Sequence, residues 1–282
     1  MFAGCLGLSF TSSTVFEYNF NLPNTTILLP ELLHEVSGLT VVDEKTLACV
    51  QDENGILFLY DIPSKSIKKT IDFHGDGDYE GIAPVGKDMY ILRSDGLLFC
   101  IGNYQSSNFK LDSIQTNIPT LDNEGLCYDK KNKQLLIGAK SKLGKGPEFK
   151  YIRAIYGFDL KTNRLSEAPV FSLNVQEILQ FAKENNISMH TKEGKTGNEP
   201  NLKIKISGVF IHPKSKDIYV LSAADYYLFV LDPLGKLKMI HPLNRELFNK
   251  AEGIAIQKNG TIFISNEGQL NHPTILQFNP KH

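Results

Sequence analysis

Short apolar runs separated by polar turns recur along this chain, and most of them alternate or cluster as β-strands do rather than at helical spacing. One set comprises Thr46–Val50, Met89–Leu92, Gln134–Ile137, Ile218–Leu221 and Thr261–Ile264. A second set, such as Ile56–Asp61, Leu97–Ile101, Ala154–Asp159 and Leu228–Asp232, follows after a polar turn. More polar runs come next, including Ser66–Phe73 and Lys236–His241. The intervening segments are rich in Asp, Lys, Asn and Gly, as in Gly86-Lys87-Asp88 and Lys258-Asn259-Gly260, the chemistry of tight turns.

These runs are registered on a repeated string. Asp78-Tyr79-Glu80-Gly81-Ile82-Ala83-Pro84 is echoed by Val36-Ser37-Gly38-Leu39, Asn123-Glu124-Gly125-Leu126, Ile206-Ser207-Gly208-Val209 and Ala251-Glu252-Gly253-Ile254. Gly38 to Gly81 is 43 residues, Gly81 to Gly125 is 44 and Gly208 to Gly253 is 45, while Gly125 to Gly208 is 83. A period of about 40–45 residues carrying four short strands is the mark of propeller blades. The expected fold is therefore all-β: a single β-propeller of four-stranded antiparallel blades over residues 15–282. The glycine units number five; six blades result if residues 150–205 hide a degenerate one. The last unit ends after its third strand, Thr274–Phe278, so the N-terminal run Val15–Phe20 is expected to supply the fourth and close the ring.

One stretch breaks the pattern. Val175, Ile178, Leu179 and Ala182 recur at helical spacing, with Asn174 as N-cap and Glu177 three residues on as a variant capping box. Residues 186–201 are polar and contain glycine. Residues 173–203 are thus expected to form a helix and a loop inserted between blades.

The formal charge is −1 with Lys and Arg scattered, which gives no footing to nucleic acid as a partner. No apolar run reaches the length of a spanning helix. Phe2-Ala3-Gly4-Cys5 resembles the end of a bacterial lipoprotein signal without its charged and apolar parts, so residues 1–14 are expected to be a tether, with a lipid on Cys5 joining a monomer to a membrane. Cys49, Cys100 and Cys127 lie in apolar runs and lack metal-ligand spacing, which predicts free thiols.

The ordered motifs Glu-Val-Ser-Gly-Leu (35–39), Asp-Tyr-Glu-Gly-Ile-Ala (78–83), Leu-Arg-Ser-Asp-Gly (92–96), Glu-Gly-Leu-Cys-Tyr-Asp (124–129), Ala-Glu-Gly-Ile-Ala (251–255) and Ile-Ser-Asn-Glu-Gly (264–268) resemble the SdiA-regulated, YjiK-like β-propeller family over roughly residues 16–279. That resemblance implies a bacterial extracytoplasmic propeller of the cell envelope, periplasmic, lipid-anchored or otherwise membrane-associated, with calcium linked to some members. It implies no reaction and no catalytic residues.

Propeller geometry turns the repeat into a site. Residues just before the glycines ring one mouth of the central channel, and the second strands end on the same face. That face is expected to gather Glu80, Glu124 and Glu252 as carboxylates for a hard cation, Ca²⁺ above all. Arg93, Lys140, Asn266 and Gln51 are expected beside them as ligand-binding groups, Arg93 and Lys140 for an anionic group. Each glutamate could instead fasten neighbouring blades by pairing with Arg93 or Lys140. The expected function is binding of a cation or small molecule at this mouth. A metal-dependent hydrolase of phosphoesters (phytase-like) or lactones, or a scaffold for protein partners, are the alternatives.

Overall fold

The computed structural model describes residues 17–194, 197–200 and 202–281, without the side chains of 192–200. It is an all-β propeller of five blades. Blade 1 is built from Val36–Val41, Thr46–Gln51, Ile56–Asp61 and Ser66–Asp72, and blade 2 from Tyr79–Val85, Asp88–Arg93, Leu97–Gly102 and Lys110–Gln115. In blade 3, Asn123–Asp129, Gln134–Ala139 and Ile152–Asp159 are followed by a split fourth strand, Arg164–Leu165 and Phe171–Asn174, both paired with the third. Blade 4 runs Gly208–Ile211, Ile218–Ser222, Tyr227–Leu231 and Leu237–Pro242. Blade 5 runs Ala251–Ile256, Ile262–Asn266 and Thr274–Phe278.

Closure of the ring does come from the N-terminal side, but the strand is Thr25–Leu28, antiparallel to Thr274–Phe278, rather than Val15–Phe20. Of that expected run, Val15 and Phe16 lie outside the described residues, as do the tether and Cys5. Glu17 adds one isolated bridge to Lys281, and Tyr18 and Phe20 leave the edge to pack inward against Phe278 and blade 4. Burial of two aromatic rings outweighs two further ladder bonds.

Blades pack face to face around the axis, and their apolar side chains form five clusters, one at each seam. The five repeat glycines sit on the inner strands, where neighbouring blades come closest. A Cβ on Gly81 would lie 2.5 Å from Leu126 Cβ and 2.8 Å from the Glu124 carbonyl oxygen in blade 3. On Gly253 it would meet the Ser37 carbonyl oxygen of blade 1 at 2.7 Å, and on Gly208 the Glu252 carbonyl oxygen of blade 5 at 2.9 Å. Each glycine faces the blade that follows it, so the column exists because the ring cannot close around a side chain there.

The helix Val175–Glu184 forms where expected and buries Val175, Ile178 and Ala182 in the seam of blades 3 and 4. Asn174 caps it by accepting from the Gln176 backbone N–H at 2.9 Å; this bond goes to Gln176, not to Glu177 as a capping box would have it. Within the expected loop, Thr191–Gly194 and Gly197–Pro200 pair as a two-stranded hairpin. The return segment is clamped by Arg153, a buried side chain that donates to the carbonyls of Lys203 (2.5 Å) and Ile204 (2.7 Å). Among the described residues, Cys49, Cys100 and Cys127 are free, and no helix is long and apolar enough to cross a membrane.

Gly81→Ala is expected to destabilise the protein by about 1–3 kcal/mol, because strand backbone and not a flexible side chain opposes the new methyl. Gly75→Ala, which meets nothing within 4 Å, should stay within about 0.5 kcal/mol. Urea unfolding of the two variants measures the difference.

Candidate functional site

In four of the five blades the inner strand carries a β-bulge at the residue before the repeat glycine. Tyr79 pairs with Arg93 and Gly81 with Leu92, leaving Glu80 without a ladder partner. The same slip leaves Glu124 between Asn123 and Gly125 and Glu252 between Ala251 and Gly253, and falls at Ser37 in blade 1. A bulge re-aims its side chain: Glu80, Glu124 and Glu252 line the space at the axis, and the carbonyls of Ser37, Glu124 and Glu252 pack on the preceding blade's glycine.

The two serines of the column do different work from the glutamates. Ser37 Oγ donates to the Tyr79 carbonyl at 2.5 Å and Ser207 Oγ to the Ala251 carbonyl at 2.8 Å. Both tie an inner strand to that of the next blade. Fastening by side-chain hydrogen bond belongs to Ser37 and Ser207, while the three glutamates bring carboxyl groups to the wall of the axis.

At the glycine level the axis is almost closed, with a cavity of only about 10 Å³ lined by Glu80, Glu124 and Glu252 among others. Directly above, a pocket of about 280 Å³ opens at the mouth between Glu124, Lys140, Lys205, Tyr226, Lys250 and Glu252. Lys140 Nζ forms an ion pair with Glu124 Oε1. The second oxygen of Glu124, Oε2, is buried without a hydrogen-bond partner, on a side chain only 2% exposed. Lys250 Nζ bridges Glu252 Oε1 at 3.5 Å and Glu267 Oε2 at 2.5 Å.

Glu80, Glu124, Glu252 and Lys140 are thus brought together; Gln51, Arg93 and Asn266 are not part of this group. Register explains why. Gln51, Arg93 and Asn266 pair with Val36, Tyr79 and Ala251, but the equivalent partner of Asn123 is Ala139, so Lys140 lies one position further on. One position along a strand reverses the side chain's direction. Arg93 makes a two-pronged bond with Asp95, at 3.0 and 2.7 Å, and lies over the Phe99 ring. Gln51 holds its own turn by donating to Asn54 and accepting from the Glu53 N–H. Asn266 donates to the Leu247 carbonyl and to Thr274 Oγ1.

The position from which Lys140 reaches the pocket is the residue after the second strand, occupied in blades 1, 2 and 5 by Asp52, Ser94 and Glu267. Its backbone N–H donates to the residue three before the glycine: Asp52 to Glu35 (3.3 Å), Ser94 to Asp78 (2.9 Å), Lys140 to Asp122 (2.9 Å) and Glu267 to Lys250 (3.1 Å). Sequence reasoning missed Glu35, Asp52, Lys250 and Glu267. Two further columns of the repeat, one each side of the bulge, were the signal that could have found them. Glu35, Asp52 and Glu267 form, among the described residues, a group of three carboxylates with one oxygen each, all within 4.8 Å of one another.

So many acids in one buried place disturb one another's titration. Burial, then Glu267 and Glu35, push the Asp52 carboxyl up to about 6, against a partial pull from Lys250. Burial, followed by Asp78 and Glu252, drives Glu80 well above the ordinary carboxylate range. Burial also raises Glu252, although Lys250 opposes it. Burial alone would lower Lys250; its hydrogen bond with Glu267 and the charges of Glu252, Glu267 and Asp52 more than reverse that.

Residues 161–272 match the family model described as SdiA-regulated, which supports the resemblance carried by the motifs. No curated protein matches the chain. Among solved structures it is similar to glutaminyl cyclase from Myxococcus xanthus, at 15% identity and TM-score 0.59, covering 92% of this chain and 96% of that one. It is similar too to a chain of a mitotic checkpoint complex (11% identity, TM-score 0.51, 99% and 98% covered). A third likeness is to a protein of unknown function from Bacteroides thetaiotaomicron (11%, TM-score 0.52), with 82% of this chain and 52% of that one covered. At these identities the likeness is one of fold.

Acids whose folded pKa is raised are ionised in the unfolded chain before they are ionised in the native one, so the native state binds more protons and stability falls as pH rises. The effect is absent below the ordinary carboxylate values (3.8 and 4.5) and grows above them, with the Asp52 part complete past about 6. Thermal unfolding is expected to show a midpoint that declines from about pH 5 to pH 8, and Glu80→Gln should flatten that decline and raise the midpoint at pH 8.

Proposed function

We propose that this chain is a binding propeller of the cell envelope that holds a small polar ligand in the pocket at the mouth of its central channel. The observation that carries this reading is the free, buried Oε2 of Glu124 in the pocket wall. A buried carboxylate oxygen without a donor is costly, of the order of 1–3 kcal/mol or more, and a ligand's N–H, O–H or bound cation would satisfy it. The companion lysines 140, 205 and 250 supply the opposite charge for an anionic group on the same ligand.

Ca²⁺ is the cation the mouth suits, but not at the three glutamates first expected to hold it. Lysines already pair with Glu124 and Glu252 there. The Glu35, Asp52 and Glu267 group fits better. Its donors are all oxygens, their mutual spacing within 4.8 Å suits ligands about 2.3–2.6 Å from a common ion, and Asp52 Oδ1 is buried without a partner. Lys250 would have to yield Glu267 to the ion. Attachment to the envelope through a lipid on Cys5 belongs to the same proposal. It rests on the lipoprotein-like Phe2-Ala3-Gly4-Cys5 and the family resemblance.

A hydrolase acting on phosphoesters or lactones is the second reading: a cation held by Glu35, Asp52 and Glu267 would polarise a substrate oxygen and activate water.

Titration calorimetry and thermal shift with Ca²⁺ test the cation. Ca²⁺ at a hundred times its dissociation constant should stabilise the wild type by about 2.7 kcal/mol. Asp52→Asn and Glu267→Gln should abolish the shift while Glu124→Gln keeps it; absence of both heat and shift in the wild type removes Ca²⁺ from the reading. A panel of phosphoesters and lactones with and without Ca²⁺ decides between binding and hydrolysis. No turnover is expected, and turnover lost in Asp52→Asn would replace binding by hydrolysis. Membrane fractionation should find the wild type in the pellet and Cys5→Ser in the supernatant.

A further inference from the structure

The end of the channel opposite the charged mouth is of a different character. Here the inner strands diverge beyond their glycines and leave a cavity of about 760 Å³, the largest of those described, to which all five blades contribute. The third residue after each repeat glycine lines it: Val41, Pro84, Tyr128, Ile211 and Ile256. The repeat thus places an apolar or aromatic side chain at one position in every blade, beyond the point where the glycine column closes the axis to about 10 Å³. The result is a blind funnel.

Its wall is mostly apolar, with Thr40 and Gln257 as polar exceptions, and its rim is charged. Phe210 completes the apolar lining from blade 4 and also packs against the clusters of three seams, so one ring of this funnel is anchored in the core. Cys127 lies in the wall with its thiol pushed up by burial, which makes it a piece of apolar surface rather than a nucleophile. Charges appear only outward, at Asp43, Glu44, Lys130 and Lys258 in the turns that follow the inner strands, and they are of both signs. Val41, Pro84, Tyr128, Phe210 and Ile211 are all partly exposed. Contiguous apolar surface left open inside a concavity marks a place to be filled, and this volume lies within the range of about 300–1,000 Å³ typical of small-molecule sites.

We infer that this funnel is a second binding site, separate from the charged mouth, for an uncharged, largely apolar small molecule with a planar or branched body. The concavity decides the occupant: a recess walled by five strands and closed at its floor admits a compact molecule, whereas a flat protein surface would cover the rim and leave the cavity empty. A charged body would lose its hydration against the aliphatic wall without a partner there, so any polar group of the ligand faces the rim. Tyr128 and Phe210 give the wall two aromatic side chains for a planar body to pack on.

Nile red titrated into the full-length protein tests this, since the dye is neutral, planar, and brightens in apolar surroundings. One saturable site per chain is expected. Ile211→Lys and Val42→Lys, each placing an ammonium at the funnel, should weaken binding at least tenfold with thermal midpoints close to wild type. Should Ile211→Lys fail to fold, Val42→Lys alone carries the test, because Val42 lies at the end of the inner strand. Leu234→Lys and Leu270→Lys, which alter fully exposed leucines elsewhere, should bind as wild type does. Lys140→Ala at the charged mouth should leave dye binding unchanged, which keeps this result independent of the site proposed there. Non-saturable binding, equal binding by Ile211→Lys and Val42→Lys, loss in the Leu234 or Leu270 variants instead, or a dimer that forms through the funnel and excludes the dye would each overturn the inference.

Discussion

Five backbones meet around the axis of this protein at distances that leave no room for a side chain, and the rest of the molecule follows from that. At each seam the repeat glycine lies against the inner strand of the next blade, in three of the five against the carbonyl oxygen of its bulge residue. A ring of only five blades is narrow, and a methyl added at Gly81, Gly208 or Gly253 would meet the backbone of the next blade within 3 Å. The seams behind the glycines can then be filled by ordinary aliphatic and aromatic packing, which is where the five apolar clusters lie. Hydrogen bonds from Ser37 and Ser207 to the following strand add to the closure at two seams.

The same constraint divides the axis into two chambers of opposite chemistry. On one side the bulge turns three glutamates inward, and the residues flanking it in the repeat bring further acids and two lysines to the mouth. On the other side each strand continues without a bulge and presents apolar residues to a wide funnel. Almost no space connects the two at the glycine level, so a ligand at one end has no contact with a ligand at the other. Charge accumulates at the mouth because the bulge interrupts the ladder there. Carboxylates left in that crowded, poorly hydrated place hold protons or seek cations, and Lys140 at Glu124 and Lys250, shared between Glu252 and Glu267, are cations the chain itself provides.

Much of this was legible in residue order. The spacing of Gly38, Gly81, Gly125, Gly208 and Gly253 announced five blades, the split between Gly125 and Gly208 announced an insertion, and Asn174 announced the start of its helix. The acids before three of those glycines line one space at the axis, as their place in the repeat implied. Less legible was the partner set. Arg93, Gln51 and Asn266 look equivalent to Lys140 when counted from strand ends, yet a one-residue difference in register sends the first three away from the axis and Lys140 into it. Asp52 and Glu267 read as turn residues, since acids are common in turns for local reasons.

What the sequence by itself determined is the repeat: strand order, five glycine units with a sixth blade left open, the glycine seams and the acid column, all of which depend on short-range pattern repeated at a fixed period. Tertiary structure alone decided three things. It chose Thr25–Leu28 over the earlier run to close the ring, because Tyr18 and Phe20 gain more as buried rings than as edge residues. It set the bulge register, and with it the direction of every side chain at the mouth. And it brought Glu35, Asp52 and Glu267 within 4.8 Å of one another, although they are far apart in the chain and belong to blades 1 and 5, which become neighbours only when the ring has closed.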